Sequence, residues 1–411
     1  MHIPTILIIG AGPGGLLLYH GIQKHLNKNE KKFNVKIFER DTDPRDRWQG
    51  FSVAINSRGM RSLISCLPKS LVTRLPEVMP IPISEKDCYG ILVSDDRGNE
   101  LLRVASAQVR SLFELPNMSN STVATYRDRL RDLMLEGVNI QWRKKCIGYD
   151  ECNDEVWAIF EDGTRERGDI LIGCDGIHSP IRKQRLPYLR MFDYGITQIV
   201  MKFVLNKRLV DRIIMNGNSL TQQSISRDGD ALTLGFRLIP IEVDITANTS
   251  DDQIHYPAMI HYAYYTHWDT RNQNVHVNDD DPQSVIDHVK NLIKQHRRPS
   301  KLTDLYLELL SLVPVSSPKE FETSFFKTYN PPRRKPLLDI NPRSIEPWES
   351  TRVTLLGDAI HAMNPVLGLG TNSALLDADL LVKCLSNYEK DGYKQCIQNY
   401  ENILRIRASR E

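Results

Sequence analysis

Six residues near the start, Gly10-Ala11-Gly12-Pro13-Gly14-Gly15, limit the folds open to this chain more than any other feature. They follow the apolar run Thr5 to Ile9, which reads as a strand, and they open a helical pattern from about Gly14 to Leu26. A second short strand, Val35 to Glu39, completes a β-α-β unit. The spacing G-x-G-x-x-G at a strand-to-helix junction has a physical reason. Gly10 permits the tight turn, Gly12 lets backbone approach a pyrophosphate, and Gly15 lets helix and strand pack closely. The helix N-terminus then offers unpaired N–H groups and a partial positive charge to phosphates. Glu39 lies twenty-four residues beyond Gly15. There its carboxylate can accept hydrogen bonds from both ribose hydroxyls, and it would repel a 2′-phosphate. The unit reads as a site for an adenine dinucleotide, and these residues alone do not separate FAD from NAD.

Charge and composition exclude several other classes. The 411 residues allow about two or three domains. A hydrophobic fraction of 41% with 25% charged residues fits a folded globular chain. Lys and Arg number 53 against 51 Asp and Glu, so no basic surplus demands nucleic acid or an anionic membrane. Met1 to Gln23 carries no Lys, Arg, Asp or Glu, which superficially suits a signal peptide. There is no basic n-region, however, and the glycines break the apolar run. The seven cysteines are scattered and none has a zinc spacing. A cytoplasmic protein with no membrane segment, no metal and no nucleic-acid partner is expected.

Farther along, Arg58 to Leu67 and Arg127 to Leu135 read as helices, and Val138 to Trp142, Val156 to Phe160 and Ile170 to Gly173 as strands. After about Pro187 the texture changes. Gly195 to Leu205, Ala231 to Ile239 and His261 to Trp268 are longer runs rich in β-branched and aromatic residues, as in an antiparallel sheet. Val285 to His296 and Leu302 to Val313 have helical periodicity. The first texture returns with a strand at Arg352 to Leu356 and a helix from about Thr371 to Leu385. The fold class is therefore α/β: a Rossmann-like dinucleotide domain, split in sequence, with an antiparallel β-sheet domain inserted.

Two later segments separate the cofactors. Ile170 to Arg182 contains Gly173, Asp175, Gly176, Ser179 and Arg182 on the pattern D-G-x-x-S-x-x-R. Gly357 to Asn372 contains Gly357, Asp358, His361, Pro365, Gly368, Gly370 and Asn372, with Asp377 just beyond. Both resemble motifs of the single-component (class A) FAD-dependent monooxygenases, and Thr125 to Arg131 resembles the short segment whose first Arg, here Arg127, contacts FAD. The order and spacing match over nearly the whole chain. One departure is Leu369, where many members have Gln. The resemblance implies that residues 1–82, 124–186 and 330–411 form the FAD-binding domain, and 83–123 and 187–329 a β-rich substrate domain. It assigns to FAD the residues Gly10, Gly12, Gly15, Glu39, Arg40, Arg47, Arg127, Asp175, Asp358, Pro365, Gly368, Gly370, Thr371 and Asn372. It also implies NADPH or NADH and dioxygen as co-substrates. A flavin hydroperoxide then transfers oxygen to an electron-rich aromatic, polyketide or related secondary metabolite, by hydroxylation or epoxidation.

The substrate side is less determined. Thr233, Gly235 and Arg237 alternate onto one face of a strand that lines the pocket in this family. Arg237 is either a partner for a phenolate or enolate oxygen or one half of a surface ion pair, and Lys202 is a weaker candidate. Tyr262, Tyr264, Tyr265 and Trp268 suit core packing better than substrate stacking. The resemblance places His361 near the cofactor without a proton-transfer role, and no residue is assigned as catalytic. Competing readings are another FAD-dependent oxidase or reductase, and a non-catalytic binding protein of the Rab-escort type. The latter can lose its FAD contacts, whereas Glu39, Arg127 and Asp358 all remain here. A halogenase would need a Lys and tryptophan-bearing motif that is absent.

Overall fold

The computed structural model describes residues 2–28, 30, 32–44, 46, 52–79, 91–104, 117, 122–152, 154–217, 219–239, 241, 251, 253–271, 277–317, 330–363 and 368–408. Thr5–Ile9 is a strand buried over its last four residues, with parallel neighbours on both sides, Asn34–Phe38 and Ile170–Gly173. Val353–Leu355 and the two-residue Ile140–Gln141 extend this into a five-stranded parallel sheet. Strands covered on both faces bury successive side chains, which is why they read as unbroken apolar runs. The register brings their carboxyl ends level: Ile9 lies opposite both Phe38 and Gly173, and Gly173 opposite Leu355. The residues that follow each strand, at Gly10, Glu39, Cys174 and Leu356, therefore emerge side by side.

The Pro13–His25 helix packs on this sheet and on the Gly370–Leu385 helix, which buries Leu375, Ala378 and Leu381. Its approach to the first strand depends on Gly15. A Cβ there would stand 2.1 Å from the Gly10 carbonyl oxygen, inside the turn itself.

A second sheet has seven strands, in the order Lys335–Asp339, Phe192–Asn206, His255–Tyr265, Ala231–Phe236, Thr221–Ile225, Ile91–Asp95 and Glu100–Val104. Its pairings are antiparallel except that Thr221–Ile225 runs parallel to Ile91–Asp95. One face forms a separate hydrophobic cluster in which Ile199, Phe203 and Tyr262 pack with Val289 and Leu309. The last two come from the Pro282–His296 and Lys301–Leu310 helices, which are capped by Asp281 and Ser300. Tyr262 and Tyr264 are buried and stacked with centroids 5.3 Å apart, so these tyrosines are core, while Tyr265 is exposed. Several strand boundaries differ from expectation. The strand predicted from His261 starts at His255 and stops at Tyr265, and Trp268 begins a short helix. The strand predicted to reach Ile239 ends at Phe236. Turn and helix signals beyond those points outweigh β propensity.

Substituting Gly15→Ala is expected to lower stability by at least about 2 kcal/mol, because backbone cannot move aside without undoing the turn. A thermal melt of the variant checks this, and a midpoint equal to wild type would refute the close packing.

Candidate functional site

Where the parallel strands end side by side, the chain encloses a cavity of about 550 Å³. Its walls come from residues 9–15, 38–40, 174–178, 356–358 and 370–371, with Arg127 also lining it. A volume of this size lies in the usual range for cofactor and small-molecule sites. All three motif segments thus meet at one cavity.

Two helix N-termini face it. Pro13–His25 has Gly12 at its N-cap, and Gly370–Leu385 has Leu369; neither has a side-chain cap or an acidic residue in its first turn. The leading N–H groups and the positive end of each dipole are therefore available to an anionic or electron-rich ligand. Gly12 leaves room for one, since an added Cβ would meet no atom within 4 Å.

Three carboxylates complete the lining. Glu39 is buried, with Oε2 accepting from the Ala11 N–H at 2.8 Å and Oε1 from the Asp41 N–H at 3.2 Å. One donor per oxygen leaves lone pairs for a ligand hydroxyl. Asp175 has both carboxylate oxygens buried without a hydrogen-bond partner. Burial pushes its pKa up to about 6, against the opposing pull of Ser179, Arg182 and Arg40. Asp358 starts a short helix after Gly357 and is open to the cavity yet hemmed in by protein. That enclosure raises its pKa, and the charges of His361 and Arg127 act against the rise.

Behind this lining lies a layer that holds the turns in place. Arg182 Nη1 donates to the carbonyls of Ile177 at 2.7 Å and Ala359 at 3.2 Å, tying the Asp-Gly segment to the Gly-Asp segment. Asp377 is fully buried, and its Oδ2 accepts from the Gly357 N–H at 2.9 Å and pairs with His361 Nε2 at 2.6 Å, while Oδ1 bonds Arg407. Burial would lower the His361 pKa, but Asp377 outweighs it and the net shift is upward. His361 therefore lies buried behind the turn and does not line the cavity.

Of the residues assigned from sequence, Gly10, Gly12, Gly15, Glu39, Arg40, Arg127, Asp175, Asp358, Gly370 and Thr371 all line the cavity. Arg47 and Pro365 lie outside the described residues. Gly368 takes φ +63° beside the cavity wall, where its carbonyl accepts from Asn372. The Asn372 side chain differs from expectation. Nδ2 donates to the Ala54 carbonyl at 2.8 Å and Oδ1 accepts from the Asn56 N–H at 2.9 Å, so the amide clamps the Ser52–Asn56 strand and does not face the cavity.

The substrate candidates divide. In the sheet register Val200 and Thr233 oppose His261, and Lys202 and Gly235 oppose Met259. All share the face opposite the Tyr262 cluster. His261, which sequence reasoning missed, bonds Gln198 Oε1 at 3.0 Å, and burial holds its pKa down at about 4, so it is neutral at pH 7. Burial also lowers the Lys202 pKa. Arg237 falls beyond the strand end, and its ion pair with Asp128 is only 10% exposed on the arginine side, so it is not a surface pair.

Comparison with known proteins agrees with this geometry. A family model described as FAD binding domain matches residues 318–410. The FAD-dependent monooxygenase thnD of Trichoderma harzianum is 26% identical over 98% of this chain and 87% of its own. The dual O-methyltransferase/FAD-dependent monooxygenase CTB3 of Cercospora beticola is also 26% identical, and this chain spans 44% of it. A crystal structure from Photorhabdus luminescens, provisionally described as an FAD containing monooxygenase, is 25% identical with a TM-score of 0.71, covering 99% of this chain and 95% of that one. HpxO of Klebsiella pneumoniae, solved with FAD and uric acid, shares the fold at 17% identity and a TM-score of 0.64, with 99% and 85% covered. The resemblance to FAD-dependent monooxygenases is borne out. Among the described residues no helix is long and apolar enough to cross a membrane.

Asp175 yields a pH prediction. An acid whose pKa rises to about 6 on folding gives stability that is present below its unfolded value of 3.8 and lost as pH rises through 6. Asp175→Asn should therefore be more stable than wild type at pH 8, by at most about 3 kcal/mol, with the gap closing toward pH 4. Melting curves of the ligand-free proteins across that range provide the check.

Proposed function

We propose that this chain is an FAD-dependent monooxygenase that uses NADPH or NADH and dioxygen to hydroxylate or epoxidise an electron-rich small molecule, aromatic or polyketide-like. The observation that carries the reading is the convergence of the glycine turn, Asp175, and the Asp358 to Thr371 region on one cavity with two uncapped helix N-termini. A merely structural glycine turn would not need open space above Gly12 or leave the Asp175 oxygens buried without partners.

The residues fit the cofactor in kind. The N-terminus of Pro13–His25 would take the pyrophosphate, Glu39 the adenosine ribose hydroxyls, and Asp358 the ribityl hydroxyls. The N-terminus of Gly370–Leu385 would face the pyrimidine edge of the ring, where preorganised N–H dipoles favour negative charge. FAD, when bound, supplies the electron transfer and dioxygen chemistry that side chains lack. The chain's own work is to orient the ring, keep its charge compensated and exclude water. Residues 1–82, 124–186 and 330–411 serve as the cofactor domain in this reading, and 83–123 and 187–329 as the substrate domain. The sheet face bearing Lys202, Thr233 and His261 supplies its polar contacts. The separate hydrophobic clusters of the two sheets support two domains, but Lys335–Asp339 pairs with Phe192–Asn206 and so moves to the substrate side of that boundary.

Recombinant protein is expected to be yellow and to oxidise NADPH when given a suitable phenol or polyketide, with one atom of labelled dioxygen entering the product. Colourless protein that takes up no added FAD would overturn the proposal, and turnover without label incorporation would favour an oxidase or reductase. Gly12→Ala separates binding from folding. Its Cβ meets nothing in the protein, so the stability of the ligand-free form, read from melting curves, should stay within about 0.5 kcal/mol of wild type while the Kd for FAD rises at least about tenfold.

A further inference from the structure

The contact between Arg237 and Asp128 ties the seven-stranded sheet to the helix that begins at Arg127. Arg237 directly follows the Ala231–Phe236 strand, and its N–H still donates to the Pro257 carbonyl of the neighbouring strand at 3.0 Å. Its side chain leaves that sheet. Nη1 donates to Asp128 Oδ2 at 2.6 Å, and the guanidinium lies 4.3 Å from the centre of the Tyr126 ring. The next residue, Leu238, donates its N–H to the Tyr126 hydroxyl at 3.2 Å. Tyr126 is fully buried, Arg237 is 8% exposed and the Asp128 side chain 27%, so water screens these contacts only partly.

Tyr126 and Asp128 are the two chain neighbours of Arg127, which begins the Arg127–Leu135 helix and lines the cavity. That helix has no side-chain cap at Tyr126. An uncapped first turn frays readily, because its leading N–H groups have no intrahelical partner. Here Arg237 and Leu238, just past the end of the Ala231–Phe236 strand, grip the residues on either side of Arg127 and hold the first turn from outside. We infer that Arg237 is a positioning residue for the cofactor cavity: acting through Asp128 and Tyr126, it holds the backbone from which Arg127 reaches the site. The inference rests on the reading of that cavity as the FAD site. It assigns Arg237 a role other than contact with substrate, and it links the substrate sheet to the cofactor by one ion pair and one stacked ring.

The test is a double-mutant cycle on FAD affinity, read by flavin fluorescence and by the visible absorption band, with melting curves of each apoprotein alongside. Arg127→Met is expected to raise the Kd for FAD about tenfold and Arg237→Met about fivefold, with the double variant no worse than Arg127→Met within a factor of about two. Asp128→Asn, which keeps the shape of the side chain, should behave as Arg237→Met does and fail to add to Arg127→Met. It carries the same test if Arg237→Met does not fold. If Arg237→Met or Asp128→Asn raises the Kd by the same factor with or without Arg127, the residue acts by general destabilisation and the inference is wrong. If Arg127→Met leaves the Kd unchanged, Arg127 does not serve the FAD site, and the inference falls with the reading beneath it.

Discussion

Parallel pairing along Thr5–Ile9 is the constraint on which the rest of this molecule depends. Hydrogen bonding in register sets the ends of four neighbouring strands level, and a glycine or an acid follows each within two residues. Residues more than three hundred positions apart, Gly12 and Asp358 among them, thereby line one cavity. Open parallel sheets bind ligands outside their carboxyl ends because strand ends and helix starts meet there, and the helix starts carry unpaired donors. A one-residue slip between Ile170–Gly173 and its neighbours would carry Asp175 away from the glycine turn.

The electrostatics of the cavity are mixed, as a ligand with both phosphates and hydroxyls requires. Two helix N-termini offer positive potential without a side-chain cap to consume it, while Glu39, Asp175 and Asp358 offer acceptors. Unligated, such an arrangement is costly, because enclosed carboxylates lose hydration, and the raised pKa values of Asp175 and Asp358 record that loss. The layer behind the lining spends most of its polar groups on the protein itself. Asp377 takes His361, Arg407 and the Gly357 N–H at once, and Asn372 spends its amide on the Ser52–Asn56 strand. Groups committed to the protein behind, and carboxylates with spare acceptor capacity in front, distinguish a binding surface from a core.

Much of this was legible in the linear order of residues. Gly10, Gly12, Gly15 and Glu39 announce themselves because turn geometry and backbone approach demand glycine and an acid at set spacings. Asp175 and Asp358 could be read because each ends a short apolar strand. His361 and Asn372 could be seen as members of a motif, but not which way they face: both sit within one helical turn of lining residues, and a rotation of about 100° per residue decides between cavity and core. For Arg237 the ion pair is present, but its burial and its partner were not legible, for a related reason. Alternation along a strand predicts a shared face with Thr233, but the strand ends at Phe236, and the partner Asp128 is 109 residues away in sequence. The buried His261 left no signal, since a lone histidine in an apolar strand has many readings.

What the amino-acid order determined by itself is local chemistry: where the chain must turn, which runs must be buried, and which backbone stretches can approach a phosphate. These follow from sterics and hydrophobic periodicity, which act over a few residues. Only the tertiary structure decided which side chains face the cavity and which brace it, and that Arg237 reaches from the end of a strand to Tyr126 and Asp128. Those outcomes depend on sheet register and on burial by distant elements, and no short-range rule contains either.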